Sequence, residues 1–486
     1  MIQINPMELT DFYKVGHPFQ YPRGIEYVYS NFTPRKSRMS GVGHMVFFGL
    51  QAFVIEYLIG YFNRNFFKRP LEEVLAEYKT TLQHTCGPLA SYEHIVALHQ
   101  LGYLPVSICA VLEGTPVPMR VPAMTIVNTH PQFAWVTNFL ETLMSASLWQ
   151  ACTSATVAFE YRKLFDKWAA RTGIPDGFTQ WQGHDFSFRG MSSLESAILS
   201  GMGHLLSFTG TDTIPAIRAL ETYYGADRTK ELVGASIPAT EHSVMCCGGV
   251  DGETETYRRL VEDVYPNGLV SIVSDTWDLW AVTDRILPAL KARIMARNGK
   301  VVIRPDSGNP ADIVCGTGNT PGVIERLWNV FGGTVTSTGH RLLDSHIGAI
   351  YGDSITIAVA DDICRRLADK GFASQLVCGL GSFTYQYNTR DTFGTAIKST
   401  WVQIDGKPHE IFKAPKTDDG TKNSAKGLLC VDYAEDGNLR VEEGVSPERA
   451  KQGLLQPVFV DGQLVRRQTL AQVRQQLRES PSAKLS

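Results

Sequence analysis

The spacing of apolar positions changes twice along this chain. Up to about residue 175 the texture is mixed. A strand-like "GIEYVYSNF" is followed by the apolar run "MVFFGLQAFVIEYLIGYF" at residues 45–62, and helical periodicity extends from about residue 135 to residue 170. Gln51 and Glu56 interrupt the apolar run and "NRNFFKR" follows at once, which predicts a buried amphipathic helix rather than a membrane span. From "GHDFSFRG" onward, short apolar runs ending in polar or glycine-bearing turns alternate with helical patterns. The runs are "LVSIVSD", "KVVIRPDSG", "IGAIYGDS" and "QLVCGLGS"; the helical segments include "TWDLWAVTDRILPALKARIMA" and "TIAVADDICRRLADKG". Such alternation predicts a parallel sheet with helices outside it, with the site on the loops that follow the strands' carboxyl ends. After Lys398 two hairpin patterns carry Asp-Gly turns, "STWVQIDGKPHEIFKAPK" and "GLLCVDYAEDGNLRVEEG", and a polar helix, "LAQVRQQLRES", closes the chain. The prediction is an α/β fold. An incomplete barrel-like domain covers residues 176–395, and a mixed α+β domain is formed by both chain ends, residues 1–175 and 396–486.

Composition narrows the partners. The 486 residues suffice for two or three domains, and 43% hydrophobic with 20% charged residues is ordinary for a globular protein. A net charge of −3 gives no global basic field for nucleic acid or an anionic membrane, so an anionic ligand needs a local cluster of Lys and Arg. Nine cysteines, an odd number without C-x-x-C spacing, argue against a disulfide framework and a zinc site and fit a reducing cytoplasm. The opening "MIQINPMELTDFYK" lacks the layout of a signal peptide.

The predicted strand ends carry the chemistry. They present Asp275, Arg304 with Asp306, Gly352 with Asp353, and Gly379 with Gly381. Arg304 and Asp306 lie two residues apart, so both address one face of an extended strand. Any one aspartate read alone is an ordinary helix N-cap. Repetition of the placement in successive units, with an arginine among them, points to a phosphorylated sugar. Carboxylates accept from ribose hydroxyls, and glycine turns bring backbone N–H groups to phosphate oxygens. Upstream, "HDFSFRGMSSLESA" adds Phe186 and Arg189, "LLSFTGTDT" adds Asp212, and "SIPATEHSVM" adds Ser236, Glu241 and His242. "ITIAVADDI" offers two acids after an apolar run, but no Thr-Gly turn follows, so Asp361 and Asp362 are expected to be charges at a helix amino terminus.

In order and spacing, "DFYKVGH", "HDFSFRG", "GTDT", "PATEHS", "SIVSD", "IRPDSGNP", "YGDS" and "TRDTFGTAIKST" resemble the nicotinamide phosphoribosyltransferase family over roughly residues 10–429. The resemblance implies transfer of phosphoribose from 5-phosphoribosyl 1-pyrophosphate to nicotinamide, giving nicotinamide mononucleotide and pyrophosphate, by a cytoplasmic homodimer with shared sites. It implies that Phe186 and the partner chain's Tyr13 stack on the pyridine ring and that Asp212 meets the carboxamide. Arg189, His242 and Arg304 would hold the diphosphate. Asp306, Gly352 and Asp353 would bind the ribose and its surroundings. The turn at Gly381 and Ser382, with Arg390, would serve the nucleotide's phosphate, and Arg35, Lys398 and Lys413 would add cations. His242 would accept a phosphate from ATP, an activating co-substrate, with Asp275 in support. Mg²⁺ would be held mainly by substrate phosphates. The family's run of glycines departs here to "CGLGSFT", leaving the contact to Gly381 or Ser382.

The implied chemistry suits these residues. Displacement at the anomeric carbon passes through an oxocarbenium-like state, and the pyridine nitrogen needs no general base. The protein has to align the ring and stabilise the departing charge. Asp212 favours the amide, because it repels the carboxylate of nicotinate. Nicotinate phosphoribosyltransferase, a non-catalytic binder on the same fold and a barrel glycosidase are the competing readings.

Overall fold

Each apolar run of the alternating region is a parallel strand: β1 (Gly183–Asp185), β2 (Gly210–Thr211), β3 (Gly268–Val273), β4 (Gly299–Arg304), β5 (Ile347–Tyr351) and β6 (Val377–Leu380). The structure is a computed structural model, and it describes residues 3–352, 354–417, 420 and 423–484. Neighbours run β2-β1-β6-β5-β4-β3, all paired in parallel. The gap between β2 and β3 is spanned by an extended segment that is not a regular strand. Ala235 bridges Gly210, and Ala239 bridges Ser271. Backbone bonds hold both sides, Thr211 N to Ala235 O at 3.0 Å and Ser271 N to Pro238 O at 2.8 Å. The barrel is therefore incomplete in strands yet closed in hydrogen bonds.

Side-chain alternation explains the near-continuous apolar runs. Leu269, Ser271, Lys300, Val302 and Arg304 line the interior, whereas Val270, Ile272, Val301 and Ile303 are buried on the opposite face. Helices of the expected kind follow: Leu287–Met295 after β3 and Ile357–Asp369 after β5. Asp361 and Asp362 lie one turn inside the second of these, not at its start. Asp361 accepts from Trp168 Nε1 at 2.7 Å and Asp362 pairs with Arg365, so both are structural.

The strands and helices of the barrel belong to one compact unit, Val157–Arg218 with Asp227–Tyr387. The other unit is built from both chain ends, Met1–Thr156 and Asn388–Leu485, with the insert Ala219–Ala226. The changes at 156/157 and 387/388 fall earlier than the expected 175/176 and 395/396. The first lies inside the helix Glu141–Thr172, whose periodicity gives no sign of a boundary.

The unit formed by the chain ends holds an antiparallel sheet. Its order is Lys407–Glu410, Ala396–Ile404, Ile25–Thr33, Met124–Asn128, Val106–Ala110, Gln456–Val460 and Gln463–Leu464. Phe32, Ile108, Ile126 and Phe459 from four of these strands share one apolar core. Asp405 and Gly406 make the first hairpin turn, both at positive φ (47° and 71°). The second hairpin, Leu429–Tyr433 with Leu439–Glu443, has a longer loop than its Asp-Gly pattern implies. The run at 45–62 begins as the short strand His44–Val46, paired with Pro116–Pro118. It is helical only from Leu50, with π-type turns at Val54–Tyr61 and Asn63–Phe67. Among the described residues no helix is long and apolar enough to cross a membrane.

Candidate active site

Carboxyl ends of neighbouring strands bring the predicted residues of the barrel unit to one mouth. A cavity of about 410 Å³ runs inside the barrel, with Phe186, Asp212 and Arg304 at the carboxyl-end side and Leu269, Lys300 and Gln375 at the other. Phe186 and Asp212 also line a more open depression of about 360 Å³ together with Phe188 and Arg189. Phe186 therefore sits between two spaces.

Gly379 was expected to lend a backbone N–H to phosphate; it lies inside β6 and serves a different purpose. A Cβ there would fall 2.5 Å from Phe186 Cδ2 and 2.8 Å from Gly352 Cα, so glycine leaves room for the ring and for the neighbouring backbone. Gly352 is the next neighbour. A Cβ on it would come 2.8 Å from Asp306 Oδ1 and 3.7 Å from Phe186 Cε2. Phe186, Gly352, Asp306 and Gly379 thus form one corner of the mouth. Asp353 lies outside the described residues.

Asp275, after β3, is the fastener of a second corner. Its Oδ1 faces His242 Nε2 at 3.1 Å, and its Oδ2 accepts from Asp306 N at 3.1 Å and Ser307 Oγ at 2.6 Å. One nearly buried carboxylate orients the histidine and pins the "PDSG" turn. Among the described residues, ring nitrogen Nδ1 of His242 has no hydrogen bond. Arg304 donates from Nη2 to Thr240 O at 2.7 Å, while its buried Nε has no partner among the described residues. An unpaired guanidinium N–H in so dry a place is costly, and an anion would relieve it.

Asp212 accepts from Ser236 Oγ at 2.6 Å and from His184 Nε2 at 2.9 Å, both on Oδ1. Burial pushes its carboxyl up, but His184, Ser236 and the Arg304 charge pull it below the ordinary carboxylate value. Gly381 precedes the short helix Ser382–Tyr385, and Ser382 packs against Gly190, beside Arg189.

Sequence reasoning missed two residues here. His184 stands in the quoted "HDFSFRG" but was passed over for its neighbour Phe186. Ser271 lines the cavity with a buried Oγ that has no partner among the described residues. Period-2 alternation from Leu269 was the available signal for Ser271.

Five predicted residues lie on the other unit. Tyr13 is largely exposed, with Lys14 Nζ 5.2 Å over its ring. Arg35 donates from Nε to Gly394 O at 2.7 Å, and Arg390 lies 3.7 Å from Asp391. Lys398 is 3.6 Å from Glu141, and buried Lys14 reaches the same carboxylate at 2.6 Å. Burial lowers the Lys398 pKa and Glu141 opposes this, while Arg35, Lys14 and Lys413 lower it further. Arg35, Lys398 and Lys413 therefore form one cationic cluster, joined by Lys14 and centred on Glu141. Neither of the last two was anticipated. Arg390 shares the segment that leads into this cluster.

A parallel barrel with cations, carboxylates and an aromatic ring gathered at its strand ends is the arrangement of a phosphoribosyltransferase. Residues 181–478 match the model of the nicotinate phosphoribosyltransferase (NAPRTase) family, and residues 5–108 match the nicotinamide phosphoribosyltransferase N-terminal domain. The nicotinamide phosphoribosyltransferase of Acinetobacter baylyi is 48% identical over 495 residues, covering 98% of this chain and 97% of that one. Those of Mycoplasma pneumoniae and Xanthomonas campestris pv. campestris are 35% and 33% identical, covering 86% and 96% of this chain and 93% and 96% of theirs. The chain belongs to the nicotinamide phosphoribosyltransferase family. Among solved structures, nicotinate-nucleotide pyrophosphorylase from Pyrococcus furiosus superposes with a TM-score of 0.63 at 14% identity, covering 100% of this chain and 97% of that one. Human nicotinic acid phosphoribosyltransferase does so with a TM-score of 0.58 at 15% identity, covering 98% and 94%. At such identities the likeness concerns the fold.

Proposed function

We propose that the protein transfers phosphoribose from 5-phosphoribosyl 1-pyrophosphate to nicotinamide, as the names of its relatives indicate. The observation that carries this reading is the meeting of Phe186, Asp212 and Arg304 at one barrel mouth. The ring nitrogen attacks the anomeric carbon, and the bond to the diphosphate breaks with its electrons leaving on oxygen. Arg304 and Arg189 stabilise that oxygen's charge. Phe186 stacks on the ring and fixes its approach. Asp212, held ionised by its neighbours, accepts the carboxamide N–H and repels a carboxylate in its place. Asp306 and the backbone at Gly352 face the ribose; Gly381, Ser382 and Arg390 serve the phosphate end, and Arg35, Lys398 and Lys413 supply further cations.

Among the described residues no cluster of three metal-ligating side chains exists. A magnesium ion carried chiefly on substrate phosphates fits such a donor set, and Asp306 is a carboxylate at that corner of the mouth. ATP coupling through His242 is supported by its geometry. Asp275 holds Nε2, so Nδ1 is the nitrogen able to attack the terminal phosphorus as ADP leaves. The odd cysteine count and the free state of all nine thiols support a cytoplasmic setting. Exposed Phe12 and Tyr13 on one unit, and Phe188, Leu194, Phe383 and Tyr387 on the other, support a homodimer with shared sites.

Pyrophosphate release measured with nicotinamide, with nicotinate and with neither tests the reading. Release that depends on nicotinamide is the expected result. Preference for nicotinate overturns the assignment of Asp212, and equal release without either base means donor hydrolysis. Mixing inactive Tyr13→Ala and Arg304→Ala proteins tests shared sites. Recovery of about a quarter of the wild-type activity is expected from subunit exchange, and no recovery refutes sharing.

A further inference from the structure

We propose that His184 is a positioning residue whose protonation sets the net charge at Asp212, making selection of amide over acid depend on pH. The inference rests on the nicotinamide reading above. His184 stands on β1 opposite Gly210 of β2. A Cβ on Gly210 would fall 2.7 Å from its Nδ1, so only glycine leaves the ring its place. The ring centroid is 4.7 Å from that of Phe186, at an interplanar angle of 45°. Its Nε2 is 2.9 Å from Asp212 Oδ1, the oxygen that also accepts from Ser236. Among the described residues Oδ2 has no hydrogen bond, so both anchors occupy one oxygen and leave the other to the substrate amide.

Neutral His184 must carry its proton on Nε2 to donate to an ionised Asp212, and the imidazolium donates through the same N–H. Protonation therefore leaves the geometry unchanged and alters the charge of the pair from −1 to zero. A pair carrying −1 repels the carboxylate of nicotinate, and a neutral pair does not. Both states accept the nicotinamide N–H. Selectivity should be high where His184 is neutral and fall where it is protonated.

The other charged groups around the ring are few. Asp185, on the same strand, is occupied by Ser187 and Thr211. His204, from the helix Leu194–His204, has its pKa pushed down to about 4 by burial and stays neutral through the relevant range. Arg304, at the end of β4, adds a cation that acts on Asp212. Lys300 lines the same cavity, and burial lowers its pKa, so it is the rival titrating group.

The test is a competition between equimolar nicotinamide and nicotinate from pH 5.5 to 8.5, reading the ratio of the two mononucleotides. Effects common to both substrates, such as donor binding or phosphate transfer at His242, cancel in that ratio. For the wild type the ratio is expected to fall about tenfold from the alkaline to the acid limit. His184→Gln keeps an N–H donor but cannot titrate, and its ratio should stay flat; His184→Asn serves if the glutamine variant does not fold. Ser236→Ala should raise KM for nicotinamide and keep the slope. A flat wild-type ratio overturns the proposal, and a slope that survives in His184→Gln assigns the titration to Lys300 and overturns it equally. A wild-type enzyme that makes no nicotinamide product at neutral pH removes the functional reading itself, a result distinct from a flat ratio.

Discussion

At the barrel mouth Asp275 and Asp212 each hold fixed partners of their own, whereas at Glu141 two lysines share one carboxylate. Asp275 is met by three groups, from His242, Asp306 and Ser307, and Asp212 by two, from Ser236 and His184. Such geometry is organised before substrate arrives, which is what stabilising a short-lived charge requires. Around Lys398, burial and the charges of Arg35, Lys14 and Lys413 instead disfavour its cation, with Glu141 as the counterweight. An anion entering that field gains from several charges at once, without demanding one geometry. Under the proposed function the mouth would serve the reacting bond and the cluster would hold a phosphate.

Arg304→Ala should break the comparison most visibly. Loss of a half-buried guanidinium with one N–H already unpaired is expected to lower kcat/KM by about 10³-fold, read in steady-state assays. Lys398→Ala should cost far less, mainly through the KM for the donor. A larger loss at Lys398 would mean the cluster takes part in bond breaking.

Glu141→Gln tests the cluster from the other side. Lys14 has a side chain only 2% exposed, and removing its partner is expected to cost about 3 kcal/mol of stability in denaturant unfolding. Lys398 would also titrate lower. Unchanged stability would show that the cluster has no need of its carboxylate.

Acid should act on the unit formed by the chain ends through a group belonging to neither site. Burial pushes the pKa of His94 down to about 4 from 6.5. The unfolded chain binds that proton first, so its contribution is complete above pH 6.5 and is lost as the pH falls toward 4. About 3 kcal/mol is at stake, and His94→Phe should flatten the acid limb of the stability profile by that amount.

The smallest effect sharpens the picture of the mouth. Gly379→Ala places a methyl against Phe186 and is expected to raise KM for nicotinamide about tenfold, with the fold intact by circular dichroism. No change in KM would detach Phe186 from the substrate ring.

Much of the mouth was legible because a strand and the turn after it are written locally. "SIVSD" and "KVVIRPDSG" each announce a buried run and the polar residue at its end. Arg304 and Asp306 were paired on one face by period alone, and the structure puts both at the mouth. The misreadings share a cause. Gly379 reads as a turn glycine because its sequence neighbours are glycine and serine, yet the group that needs its small size is Phe186, far away in the chain. The run at 45–62 reads as one helix because its first residues are apolar, and only the partner strand Pro116–Pro118 makes them a strand.

The sequence by itself determined the alternation of strands and helices, the residue types at each strand end and the family they resemble, since these depend on spacing over a few residues. Tertiary structure alone decided that residues 235–239 close the barrel and that Asp275 fastens the turn at Ser307. It also decided that His184 shares Asp212 with Ser236, and that Lys14 and Lys398 meet at Glu141. Those are contacts between groups tens to hundreds of residues apart, and no local periodicity encodes them. They follow from which buried donors and carboxylates the packed chain leaves to satisfy one another.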